Sequence, residues 1–166
     1  MNKFKFEIRP FREIDLSQMH DVRDAAFAPI YQSFRTILGG AELARIIYGN
    51  GEDEQGAYLD RICLPDSGHY VLVATNEEKI IGFCGGSLDT KSRIGTLGLN
   101  AVHPNFTDRG VGTGLYENML GWMKEQGMFA VQVSTGGDPS HAPARRAYEK
   151  VGFKKSIPSL LYCQTL

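Results

Sequence analysis

No apolar run in this chain approaches the roughly 20 residues that a membrane-spanning helix needs, so no span is expected. Cysteine is scarce: Cys63, Cys84 and Cys163 are odd in number and widely spaced, with no CxxC pair and no Cys/His cluster. That excludes a disulfide framework and a zinc site, and no metal is expected. A charge surplus is absent too, with 18 Lys and Arg against 19 Asp and Glu. Without a bulk field the chain is not expected to partner nucleic acid or an anionic membrane, although a basic patch on one face stays open. The first residues, MNKFKFEIRPFREID, are too charged for the apolar core of a secretory signal. Free thiols suit a reducing compartment, and a cytoplasmic location is expected. Repeats, linkers and low-complexity stretches are missing as well. What remains is 166 residues with 42% apolar content, the profile of one domain over residues 1–166. Glycine is plentiful, at 19 residues, which points to tight turns and close backbone approach.

Hydropathy patterns divide the chain. Residues 3–9 alternate through Phe4, Phe6 and Ile8, the period of a half-buried strand. Asp15 or Ser17 can cap a helix that runs to Ala28 and is expected to break at Pro29. Residues 30–48 read as helical with an interruption at Gly39 and Gly40, residues 49–56 as a polar loop, and residues 57–64 as a short helix. The period then changes. Residues 69–75 and 79–88 read as strands joined by a turn at Asn76, Glu77 and Glu78, with a bulge or close backbone contact at Gly85 and Gly86. Residues 94–102 make another strand. Residues 110–126 place Val111, Leu115, Met119, Leu120, Trp122 and Met123 on a helix face that Gly127 ends. Residues 129–134 read as a strand, residues 143–151 as a helix stopped by Gly152, and residues 153–166 as one or two closing strands. This order specifies an α+β or α/β domain with a mixed sheet.

The most informative segment is residues 97–120, LGLNAVHPNFTDRGVGTGLYENML. A strand runs into a loop, and Gly110, Gly112 and Gly114 alternate where a long helix begins. The first N–H groups of a helix have no internal partner, and its dipole adds positive potential there. Without side chains in the way, these amides form an anion site suited to a pyrophosphate, to which Arg109 and Thr113 can add donors. The run is not the GxxxxGK(S/T) phosphate loop. The same glycines would also serve close packing of helix on strand.

VHP followed by TDRGVGTGL resembles motif A of the GNAT superfamily of acyl-CoA-dependent N-acyltransferases, V-x-P, two residues, then Q/R-x-x-G-x-G/A and a helix. One frame places Thr107 at the Q/R position, with Gly110 and Gly112 as its glycines. A second frame, Arg109-x-x-Gly112-x-Gly114, restores the arginine but lengthens the loop. Downstream, HAPARRAYEKVGF at residues 141–153 resembles motif B, N-x-x-A-x-x-x-Y-E-x-x-G-F, with matches at Ala144, Tyr148, Glu149, Gly152 and Phe153. His141 stands where Asn is frequent.

The resemblance implies an α+β fold: a mixed, mainly antiparallel, seven-stranded sheet, splayed at its middle strands and flanked by helices. It implies acetyl-CoA as cosubstrate, bound by the strand edge at Asn100, Ala101 and Val102. The CoA pyrophosphate would be cradled by the loop of Thr107, Asp108, Arg109, Gly110, Val111, Gly112, Thr113 and Gly114. Ala144 and Tyr148 would complete the cofactor site. Direct transfer to a primary amine of a small molecule is the implied activity; a peptide N-terminal acetyltransferase and a non-catalytic acetyl-CoA-binding module are the alternatives. Tyr148 is the implied acid for the leaving thiolate, and an N–H of the strand at residues 100–102 the oxyanion donor. The strand at residues 94–102 has no carboxylate, so the base is sought among His141, His103, Asp138 and Glu42. Acceptor specificity falls to the N-terminal helices, where Tyr31, Phe34, Arg35, Tyr48 and Tyr58 form either a wall or a helix–helix core. Asp21, Asp24, Glu52, Asp53 and Glu54 form either a lure for a cationic amine or a solvated face. Homodimerisation is left open by family habit.

Overall fold

A computed structural model of the chain describes residues 4–48 and 51–166, and of Glu52 the backbone alone. β1 (Glu7–Pro10) leads into α1 (Leu16–Ile37), α2 (Ala41–Tyr48) and α3 (Gly51–Ile62). A meander of β2 (His69–Asn76), β3 (Lys79–Asp89) and β4 (Ile94–Val102) follows, then α4 (Val111–Glu125), β5 (Ala130–Val133) and α5 (Ala142–Lys150). The strands form one mixed sheet in the order β1-β2-β3-β4-β5. β1 to β4 are antiparallel neighbours, and β5 runs parallel to β4 after the α4 crossover. No described helix is long and apolar enough to cross a membrane.

Alternation puts Val71 and Val73 of β2 on one face of the sheet and Leu72 and Ala74 on the other. The first face is covered through Met19 and Val22 of α1 and Leu59 and Ile62 of α3. The second is covered through Leu115, Met119 and Met123 of α4 and Tyr148 of α5. An extra residue, Ile81, interrupts the β2–β3 register. The bulge changes the phase of β3, so Ile80 and Phe83 face α1 while Ile81 and Cys84 face α4. Burial pushes the Cys84 thiol up to about 12, which makes it a packing residue. At the other end, both terminal nitrogens of Arg9 grip the buried Asp15 at 2.7 and 2.8 Å, tying β1 to the start of α1. That hydrogen bonding holds the Asp15 carboxyl below its usual range.

Gly82 marks a close approach of β3 to both β4 and α4. A Cβ there would stand 3.0 Å from the Ala101 carbonyl oxygen and 3.2 Å from the side chains of Leu115 and Val111. Gly82→Val is therefore expected to overpack the core and lower stability by about 2 kcal/mol. A lower urea midpoint with an unchanged slope would show it.

Three expectations from the sequence are corrected. α1 does not break at Pro29 but runs through it to Ile37. Proline removes one ladder bond, and the buried contacts of Met19 and Val22 with the rest of the helix's packing hold the segment helical. The polar stretch taken for a loop is helical from Gly51, within α3; Gly49 and Asn50 lie outside the described residues. Gly56 is a packing position, where a Cβ would meet Arg23 Nη1 at 2.2 Å. The sheet has five strands among the described residues, not seven, because residues 153–166 form none. Lys154, Lys155 and Ser156 break the alternation and Pro158 cannot donate to a ladder, so Ile157, Leu160, Leu161 and Tyr162 stay exposed.

Candidate active site

β4 and β5 are paired only from Ile94 to Leu97 on the β4 side and Ala130 to Val133 on the other. Beyond Leu97, β4 keeps its partner β3 but, among the described residues, has none on the β5 side. The divergence coincides with a second bulge, where Gly98 and Leu99 together oppose Gly85, the site anticipated from the glycine pair in β3. The second half of α1 crosses this gap. The space enclosed is a cavity of about 1020 Å3.

One end of the cavity is built by the loop that opens α4. His103 Nδ1 accepts from the Asn105 amide at 3.2 Å, and the Thr107 hydroxyl donates to the Pro104 carbonyl at 2.9 Å, so both side chains shape the loop. Gly110 sits at φ 84°, a left-handed conformation that glycine adopts without steric cost. As the N-cap it offers no side chain to the amides of the first turn, and that turn holds no acidic residue. The first ladder bond described runs from the Gly114 amide to the Gly110 carbonyl, at 2.9 Å. The amides of Val111, Gly112 and Thr113 are thereby left for an anion at the cavity's edge.

Thr107, Asp108, Gly110, Val111, Gly112 and Thr113 all line the cavity, as do Asn100, Ala101 and Val102 from β4 and Ala144, Tyr148 and His141 from the α5 side. Arg109 and Gly114 do not. The Arg109 guanidinium lies over the rings of Phe4 at 4.8 Å and Phe106 at 5.6 Å, where cation–π attraction holds it. Gly114 turns toward Phe6 and Ile8, which a Cβ would meet at 3.1 Å. His103 and Glu42 also lie outside the cavity lining. Of the aromatic wall, Tyr58 lines the cavity, whereas Phe34 stacks on Tyr48 with centroids 4.5 Å apart and Tyr31 donates to the Gly51 carbonyl at 2.9 Å.

The middle of the cavity holds two polar groups. Asn100 joins two tyrosines: Tyr116 donates to its Oδ1 at 2.6 Å, and its Nδ2 donates to the Tyr148 oxygen at 3.1 Å and to the Gly98 carbonyl at 2.9 Å. The rings of Tyr116 and Tyr148 lie 4.9 Å apart. Tyr148 also donates to Asn100 Oδ1, but at 3.4 Å this is the longest contact of the group, and a closer acceptor in the cavity can take the Tyr148 proton from it. Burial raises the pKa of both phenols, so both are neutral donors. Tyr116 was not legible as a site residue, since an aromatic on an amphipathic helix reads as core; its one signal is a position four residues after Gly112, on the same helix face.

The second group lies at the start of α5. His141 Nδ1 stands 2.6 Å from Asp138 Oδ1. The carboxylate is fixed by the Ser140 amide at 3.0 Å, the Ser33 hydroxyl of α1 at 3.2 Å and the Ser140 hydroxyl. Burial works to raise the Asp138 pKa, but the bonds from Ser140 and His141 outweigh it and bring the carboxyl to about 2. An ionised Asp138 accepts a hydrogen bond from Nδ1–H, which leaves the Nε2 lone pair of His141 open. Phe34 covers the imidazole, with centroids 5.9 Å apart. Tyr148 follows His141 by seven residues, two helical turns, so both project from one side of α5 about 10 Å apart along its axis.

The family model for the acetyltransferase (GNAT) family matches residues 28–153. Solved structures of similar fold include a GNAT-family acetyltransferase from Desulfovibrio desulfuricans, 18% identical, with a TM-score of 0.70 over 92% of this chain and 87% of that one. The acetyltransferase AAC(6')-Iy, solved with the bisubstrate analogue CoA-S-monomethyl-acetylneamine, is 17% identical, with a TM-score of 0.67 over 98% and 99% of the two chains. The aminoglycoside 6'-N-acetyltransferase AAC(6')-IG from Acinetobacter haemolyticus is 15% identical, with a TM-score of 0.65 over 96% and 99%. No curated protein matches the chain by sequence. At these identities the structural likeness is one of fold, and the family model spans most of the chain: the chain belongs to the GNAT family and is an N-acetyltransferase.

Proposed function

We propose that the chain, acting as one domain over residues 1–166, transfers the acetyl group of acetyl-CoA directly to a primary amine of a small molecule. The observation that carries this reading is the open edge of β4. Past Leu97 the strand edge is not paired with β5 and faces a cavity that joins the uncapped start of α4 to Tyr148 and His141. An extended, amide-bearing arm such as pantetheine can add to that edge by strand-type hydrogen bonding. Its pyrophosphate would then meet the amides of Val111, Gly112 and Thr113. Arg146 and Lys150, which line the cavity from α5, add positive charge for the anionic ligand.

In this reading Tyr148 gives its proton to the departing sulfur, with Asn100 holding the phenol by its oxygen. His141 Nε2 takes a proton from the attacking amine, and Asp138 fixes the ring and stabilises its charged form. A backbone N–H of residues 100–102 would stabilise the developing oxyanion. No cysteine is among the residues lining the cavity, and burial raises the Cys63 thiol to about 11, which supports direct transfer over a thioester relay. The three free thiols suit a cytoplasmic setting. Among proteins of like fold, three are named as aminoglycoside acetyltransferases, which supports a small-molecule acceptor.

The test is thermal unfolding with acetyl-CoA, free CoA and NADH. Acetyl-CoA and CoA at about 100 times Kd should stabilise the folded state by about 2.7 kcal/mol and raise Tm by several degrees. NADH should leave Tm unchanged. No rise with either CoA species would overturn the reading.

A further inference from the structure

We infer that the acceptor is an amine with one cationic centre on an apolar, aromatic-sized body, and not a polycation. The inference rests on the acetyl-transfer reading above and concerns the end of the cavity opposite the glycine loop.

That end is roofed by Ala26, Phe27 and Ile30 of α1 and walled by Tyr58 of α3 and Leu99 of β4. Among the described residues, the charged side chains lining the whole cavity, His141 apart, are Asp108 of the loop and Arg146 and Lys150 of α5. Of the described side chains on α1 and α3, none is among them. Among the described residues, three carboxylates of the neighbouring elements are engaged elsewhere. Asp24 is paired with Arg23, and Asp60 stands 2.7 Å from His20 Nε2. Asp138 is held by Ser33, Ser140 and His141. Asp21, Asp53 and Glu54 are exposed and do not line the cavity.

A polycation entering this end would lose the hydration of several ammonium groups and find no carboxylate among the described residues of its roof and wall to replace it. An amine with an apolar body instead gains by burying that body against Phe27, Ile30 and Tyr58. It presents a single nitrogen, which needs only the His141 base. Gln55 is the polar exception in the wall: it lines the cavity, and its Oε1 is buried with no hydrogen-bond partner.

The experiment measures kcat/KM for 2-phenylethylamine, spermidine and a hexapeptide with a free N-terminus, each with acetyl-CoA and the full chain. The aromatic monoamine should exceed both others at least tenfold. Ile30→Glu, which adds a carboxylate to the roof, should cut that preference over spermidine at least tenfold while leaving the acetyl-CoA-induced rise in Tm unchanged. Spermidine matching or exceeding 2-phenylethylamine, or an Ile30→Glu preference equal to wild type, would overturn the inference and leave acetyl transfer standing. A tenfold preference for the peptide would overturn it in favour of N-terminal acetylation. If none of the three were acetylated while acetyl-CoA still raised Tm, both this inference and the small-amine reading would fall.

Discussion

Tyr148→Phe should lower kcat about 100-fold while leaving acetyl-CoA affinity within about twofold of wild type. The substitution removes one oxygen and its proton. The ring keeps its contacts with Tyr116 and Phe153, at 4.9 and 6.0 Å between centroids, so packing is preserved. What is lost is the donor, and a thiolate that leaves without a proton is a poorer leaving group. Rapid-mixing turnover and calorimetric binding, measured on one preparation, separate the two effects. Unchanged kcat would remove Tyr148 as the acid.

The network behind that phenol sets two more observables in the same experiment. Asn100→Asp is nearly isosteric but replaces an amide donor with a carboxylate that accepts only. Tyr148 would then donate to residue 100 and not to sulfur, and kcat should fall toward the Tyr148→Phe value. The pH profile gives the sign independently. The acid must be protonated to act, and burial raises its pKa above the ordinary phenol value of about 10. In wild type, kcat should therefore hold level through pH 10; a decline already under way at pH 9 would mean that a different group donates.

The legible parts of this chain are those whose signal is local. β4 spans the residues read from its apolar run, and the turn at Glu77, with φ 56°, falls where polar residues interrupt two alternating strands. α4 is bracketed by Gly110 and Gly127, both at positive φ. The glycine loop and the strand edge were nameable in advance because one motif fixes them within a few residues of each other, and Tyr148 because a second motif carries it. The misread parts depend on partners distant in sequence. Gly56 reads as a loop residue until Arg23 of α1 is known to lie against it. Pro29 reads as a stop until the buried face of α1 is counted. Ala26, Phe27 and Ile30 look like core positions, and they line a cavity only because α1 crosses the place where β4 and β5 part. The coupling of Asn100 to Tyr116 needs residues 16 apart to meet across a strand–helix contact, which no periodicity reports.

Gly112→Glu should weaken acetyl-CoA binding more than 100-fold. The position is the second of α4, and a Cβ built there meets only Val102 Cγ2, at 3.6 Å, which is ordinary contact. The backbone therefore accepts a side chain, and the helix itself gains propensity from any residue but proline that replaces glycine. The loss must come from what the side chain carries. Two unit charges of like sign about 5 Å apart repel by about 3 kcal/mol at an effective dielectric near 20, which corresponds to more than two orders of magnitude in affinity. Gly112→Ala separates charge from bulk: with a methyl group in open contact and the amides intact, its Kd should stay within a few fold and its Tm should equal or exceed that of wild type. If Gly112→Glu bound acetyl-CoA as Gly112→Ala does, the pyrophosphate would lie away from the start of α4. The three uncapped amides there would then only begin a helix.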